Sequence, residues 1–151
     1  MVGKSVVMAC GAGLLVVGLA AAQAGDVPPR DGKPLVEIVA TLENEQIGAI
    51  TAIEFDDGFW EAEVHQDGRE TDLTIDPQTG KITRRTPDTD IREELPPANG
   101  MPLSAILRTL TKQDVGVITE VEFDDGVWEV EVRQNGRERK LRLEPLTGKP
   151  R

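Results

Sequence analysis

Reactive side chains are scarce in this sequence. Its 151 residues include one cysteine (Cys10), one histidine (His65), two serines (Ser5 and Ser104) and no tyrosine. A nucleophile needs a neighbouring base, and that inventory leaves almost no pair to build a catalytic dyad from. Zinc or copper held by His and Cys is excluded for a single chain. Basic residues are also in deficit, 17 against 27 acidic, for a net charge of -10 and a pI near 4.6. Displacing counterions from phosphates requires basic surface, so nucleic acid is not an expected partner. The apolar fraction, 38%, is only slightly below that of ordinary globular chains. It suits one ordinary folded domain or two very small ones rather than a disordered chain.

There is one long hydrophobic run. Lys4 precedes an uncharged stretch from Ser5 to Ala22, which is followed by Ala22-Gln23-Ala24. A positive start, an apolar centre and an A-x-A site predict a secretory signal peptide over residues 1–24, cut after Ala24. Spanning a bilayer takes roughly 20 apolar residues, and this run is slightly short, so an uncleaved membrane anchor is the lesser alternative. A lipoprotein box would set its cysteine at the close of the run, whereas Cys10 sits near the start. After cleavage the chain has no cysteine and a charge of -11, and it is expected in the periplasm or secreted.

Laid against itself, the sequence aligns Pro34–Lys81 with Pro102–Lys149 at a constant offset of 68, with 26 of 48 positions identical. The longest shared block is Glu54-Phe-Asp-Asp-Gly-x-Trp60-Glu-x-Glu-Val64 against Glu122-Phe-Asp-Asp-Gly-x-Trp128-Glu-x-Glu-Val132. A tandem duplication is the only economical explanation. The organisation read from it is an N-terminal segment over 25–33, repeat 1 over 34–83, a Pro- and charge-rich linker over 84–101, and repeat 2 over 102–151.

Each repeat changes periodicity partway. Leu35, Ile38, Val39 and Leu42, like Leu103, Ile106, Leu107 and Leu110, follow the i, i+3, i+4, i+7 spacing of an amphipathic helix, with Pro just before. After Gly48 and Gly116 the alternation is two. Thr51, Ile53, Phe55, Trp60, Ala62, Val64, Leu73 and Ile75 face one way in repeat 1, and Glu54, Glu61, Glu63, His65, Asp72 and Thr74 the other. Asp56-Asp57-Gly58 and Gln66-Asp67-Gly68 read as hairpin loops. The expected fold class is α+β: two repeats, each a short helix packed on a three-stranded antiparallel sheet. A unit this small buries only about 60% of its unfolded surface. The repeats should therefore support each other, by packing or by extending one sheet.

Trp60-Glu61-Ala62-Glu63-Val64, Gln66-Asp67-Gly68 and Ile75-Asp76-Pro77-Gln78-Thr79-Gly80-Lys81, with their counterparts from Trp128 to Lys149, resemble the PepSY domain. The resemblance departs from that family's pattern in having Trp where Tyr is commoner, and Glu144 where Asp is usual. It implies a module of the kind found in propeptides of secreted metalloproteases and in standalone exported bacterial proteins, where such domains inhibit or regulate peptidases. No peptidase is present, so the module would act in trans.

The remaining candidates are polar. His65 aligns with Arg133 and so has no role common to both repeats; it reads as an exposed strand residue beside acidic neighbours. The Asp56-Asp57 and Asp124-Asp125 turns offer oxygen ligands but no EF-hand spacing. Trp60 and Trp128 fall on the apolar face and are read as core. The two repeats differ most in charge. Repeat 1 has 12 acidic and 2 basic residues over 34–81; repeat 2 has 9 and 8 over 102–149, with Arg133, Lys140 and Arg142 able to face Glu129 and Glu131. The sequence thus points to a non-enzymatic module without cofactor or metal, binding a protein partner, such as a peptidase or a basic surface, through Glu54, Glu61, Glu63 and Asp72. The alternative is a cation-responsive or structural envelope protein using the same acidic face.

Overall fold

A computed structural model describes residues 27–89 and 94–151. The expected signal segment, 1–24, lies outside the described residues, as do 90–93 of the stretch read as a linker. The described residues form an α+β fold with two helices and one seven-stranded antiparallel sheet. In order come α1 (Leu35–Asn44), β1 (Ala49–Asp56), β2 (Phe59–Gln66), β3 (Arg69–Ile75), β4 (Ile82–Asp88), α2 (Leu103–Lys112), β5 (Val117–Asp124), β6 (Val127–Gln134) and β7 (Arg137–Leu143). Among the described residues no helix is long and apolar enough to cross a membrane.

Strand order across the sheet is β4-β3-β2-β1-β5-β6-β7, so the repeats join through their first strands. The join is antiparallel and places Ile53 opposite Val121, its own counterpart 68 residues on. Ala52 faces Glu122, and Glu54 faces Glu120. That register relates the two repeats by a local twofold axis through the Ile53–Val121 pair. Both helices cover one face, and residues from both repeats form a single apolar cluster including Leu42, Ile53, Trp60, Leu110, Val121 and Trp128. Pairing explains how units marginal alone become stable: a domain of twice the size buries a larger fraction of its surface. The C-terminal end of α1 also meets the N-terminal end of α2, where the Ser104 amide donates to Glu43 Oε1 at 3.2 Å. This satisfies one of the amides a helix start leaves open.

Local chemistry fixes the hairpins. Asp57-Gly58, Asp67-Gly68, Asp125-Gly126 and Asn135-Gly136 all have positive φ at both positions, the two-residue turn that matches strand twist. At the helix-to-strand corner the requirement for glycine is steric as well. Gly48 and Gly116 have φ of 121° and 113°, and a Cβ at either would lie 2.6 Å from the carbonyl oxygen of His65 or Arg133.

Three features depart from the sequence-based expectation. Repeat 1 has four strands, not three, because residues 84–88, read as linker, continue β4 beside β3. β4 is an edge strand exposed almost throughout. It carries no hydrophobic alternation to read, and an edge tolerates Pro87. In repeat 2 the corresponding position holds only the Leu143–Pro150 bridge. The strict alternation is broken by bulges at Thr51 and Thr119, which let Ile50 and Thr51 both turn inward. Finally, the repeat is longer than the aligned block. Pro28-Pro29-x-Asp31-Gly32 and Pro96-Pro97-x-Asn99-Gly100 adopt the same turn, with Gly32 N–H donating to Pro29 O and Gly100 N–H to Pro97 O. Each then bonds its own repeat's last turn, Lys33 N–H to Pro77 O and Met101 N–H to Pro145 O. Residues 95–101 thus mirror residues 27–33.

Candidate functional site

The sheet face away from the helices is carboxylate-rich because alternation places every second residue of the central strands there. Glu54 of β1 lies opposite Glu61 of β2, and Glu63 of β2 opposite Asp72 of β3. The four residues singled out from sequence therefore share one face, as two like-charged cross-strand pairs. Partial burial first, and then nearby Asp56, Glu61, Glu122 and Glu131, raise the Glu54 carboxyl above its ordinary value. Asp72 is raised too, by burial and then by Asp88.

In repeat 2 the same backbone positions are neutralised. Lys140 Nζ sits 3.0 Å from Glu129 and 3.5 Å from Glu131, and Arg142 lies 3.5 Å from Glu129. Arg133, expected near those glutamates, instead pairs with Glu138 at 3.3 Å, its neighbour across β7. Lys140 and Arg142 stand where repeat 1 has Asp72 and Thr74. Repeat 1 places Arg84 of β4 one strand beyond, opposite Thr74.

Sequence reasoning missed that the face continues across the join. Glu120 and Glu122 of β5 meet β1 directly, adding two carboxylates to the acidic field of repeat 1. A shallow hollow of about 310 Å³ opens there, lined by Glu54, Asp56, Glu120, Glu131 and Arg133 among others. One signal was available: Glu120 occupies an outward position where repeat 1 has Ala52.

Trp60 and Trp128 are buried, each packing edge-to-face on the preceding strand's Phe55 or Phe123 with ring centroids 5.2 Å apart. His65 lies on the outer face opposite Glu70. Ser104 is buried at the start of α2. Carboxylates cluster in threes at Glu54-Asp56-Glu61, Glu70-Asp72-Asp88 and Glu94-Asp124-Asp125. Three ligand atoms fall well short of the six to eight oxygens calcium takes, and Glu94 already accepts the Gly126 hairpin amide at 2.6 Å.

A family model described as "Peptidase propeptide and YPEB domain" matches residues 6–86, just over half of the chain, ending within repeat 1. Among solved structures, a Clostridium difficile 630 protein described as a lipoprotein matches at 16% identity, covering 85% of this chain and 93% of its own, with a TM-score of 0.46. No curated protein matches the sequence.

Proposed function

Because the chain belongs to the peptidase propeptide and YPEB domain family, we propose that it is an exported, non-enzymatic binding module that restrains or regulates a peptidase or another envelope protein. Membership by itself gives the coarser statement, a propeptide-like or regulatory module. The contact surface is the outer face of repeat 1, Glu54, Glu61, Glu63 and Asp72, and the partner presents a basic surface to it.

One observation carries this reading. Like charges directly opposed on a sheet cost stability, and repeat 1 sets acidic residues opposite one another in two pairs, Glu54–Glu61 and Glu63–Asp72, where repeat 2 has Lys140 and Arg142 in place of Asp72 and Thr74. An acidic face steers and orients a cationic partner. The side-chain chemistry also favours binding over catalysis, since His65 and Ser104 sit in different repeats, one on the outer sheet face and one in the first turn of α2.

The test is affinity capture from the envelope fraction, comparing the native chain with Glu61→Lys/Glu63→Lys and with the matching pair in repeat 2, Glu129→Lys/Glu131→Lys. Loss of the same partner only with the repeat 1 variant, together with weaker capture at high salt, is the expected result. A repeat 1 variant that retains every partner overturns the proposal. Peptidase activity of the captured protein, measured with and without the module, then separates a regulated peptidase from another envelope protein.

A further inference from the structure

We infer that the joint between the two repeats is a pH-responsive seam, tightened when the Glu54–Glu120 pair holds a proton and loosened when both carboxylates are ionised. The inference rests on strand register and stands whether or not a partner docks on the face.

The seam is short. Three residue pairs join β1 to β5, whereas seven pair within each of the flanking hairpins. One of the three sets Glu54 and Glu120 directly opposite, where cross-strand side chains are within about 5.5 Å at the Cβ atoms. The twofold axis gives that pair a counterpart, Ala52 opposite Glu122, in which alanine removes one of the two charges. Like-charge contact is thus concentrated at one end of the joint.

Among the described residues, the groups facing the pair are mostly acidic. On β1 there is Asp56, two residues beyond Glu54; on β2, Glu61 opposite Glu54, with Glu63 beside it; on β5, Glu122; on β6, Glu131 opposite Glu120, with Glu129 and Arg133. Lys140 of β7 contacts Glu129 and Glu131, and Arg133 contacts Glu138. Glu120 is half-buried in this field. Its carboxyl is pushed up to about 7 by burial, then by Glu131, Glu54 and Glu122, against a small opposing pull from Lys140. Glu54 is raised as well.

The sign follows from linkage. The folded chain holds the Glu120 proton more tightly than the unfolded chain, whose carboxyl has its ordinary value of 4.5. Stability from this group is therefore greatest below about pH 4.5, falls as pH rises to about 7, and is level above that. Acidification through neutrality closes the seam, and the same proton lowers the charge of the outer face.

Thermal melts of the full chain from pH 5 to pH 8 test the inference. The native chain should lose several degrees of Tm across that range. Glu120→Gln should remove most of the loss and melt higher than the native chain at pH 8. Adding Glu54→Gln to it should gain less than the two separate effects combined, because both relieve one contact. Asp72→Asn, remote from the seam, should leave the Glu120-dependent loss in place. A Glu120→Gln chain as pH-sensitive as the native one overturns the inference. Should that variant fold poorly, the Glu120 carboxyl carbon can be titrated by NMR in the native chain, where a midpoint at or below pH 5 overturns it equally.

Discussion

The outer faces of the two repeats are built on one backbone and carry opposite electrostatic solutions. In repeat 2, Glu129 and Glu131 are bracketed by Lys140 and Arg142. In repeat 1 the equivalent Glu61 and Glu63 look across at Thr74 and Asp72. The inner faces, by contrast, are nearly interchangeable, down to the Phe–Trp contacts at 69° and 68°. Packing tolerates little change of volume or polarity, so duplication preserves it. An exposed face is free to diverge, and here the divergence is almost wholly in charge.

The largest test of this comparison concerns the shared interior. Leu42→Ala and Leu110→Ala remove equivalent, almost fully buried side chains, and each should cost about 2–5 kcal/mol. Both should lower one cooperative transition, since the two residues belong to one cluster. Two separate unfolding steps in calorimetry would break the single-core description. Exchanging the outer charges tests the difference between the faces. Asp72→Lys with Thr74→Arg should stabilise the chain by about 1 kcal/mol, and Lys140→Asp with Arg142→Thr should destabilise it by a similar amount, as exposed pairs are weak. Urea denaturation measures both, with an unchanged m-value.

At the seam, Ala52→Glu would complete the second like-charged pair by opposing Glu122. It should destabilise by about 0.5–1 kcal/mol at pH 8 and by less at pH 5. The smallest effect is expected at the last turn of each repeat. Asp76 accepts from the amides of Gln78 and Thr79, each at 2.8 Å, and from Thr79 Oγ1. These bonds, the Thr79 amide foremost, lower its carboxyl below the ordinary value. Its stabilisation is present above about pH 3.8 and is lost as pH falls below that, opposite in sign to Glu120. Glu144 stands at this position in repeat 2 and pairs with Arg151 at 3.2 Å instead. Asp76→Ala should lower Tm at pH 6 but not at pH 2.5, whereas Glu144→Ala should lower it less.

Much of this was legible in the sequence. Both helices follow from apolar spacing, four hairpins follow from their Asp-Gly and Asn-Gly turns, and alternation placed Glu54, Glu61, Glu63 and Asp72 together. The continuation of β4 past Thr83 was hidden because an edge strand exposed on both sides has no apolar pattern. The inward turn of Ile50 was hidden because a bulge adds a residue without a marker of its own. The Pro-Pro-x-Asp/Asn-Gly turn before each helix was visible as a repeat, but its composition reads as a linker until the bonds to Pro77 and Pro145 show that it closes the unit.

By itself the sequence determined the local structure and the sorting of residues into an inner and an outer face, because periodicity and turn chemistry act between near neighbours. It also determined that nearly all the excess negative charge lies in repeat 1. Which strands would meet was left to the tertiary structure. Joining β1 to β5, rather than stacking two separate sheets, depends on the summed burial of both repeats and on one register out of several possible. That choice brings Glu120 against Glu54 and carries the acidic face across the join, since a contact between residues 66 positions apart has no signature in either neighbourhood.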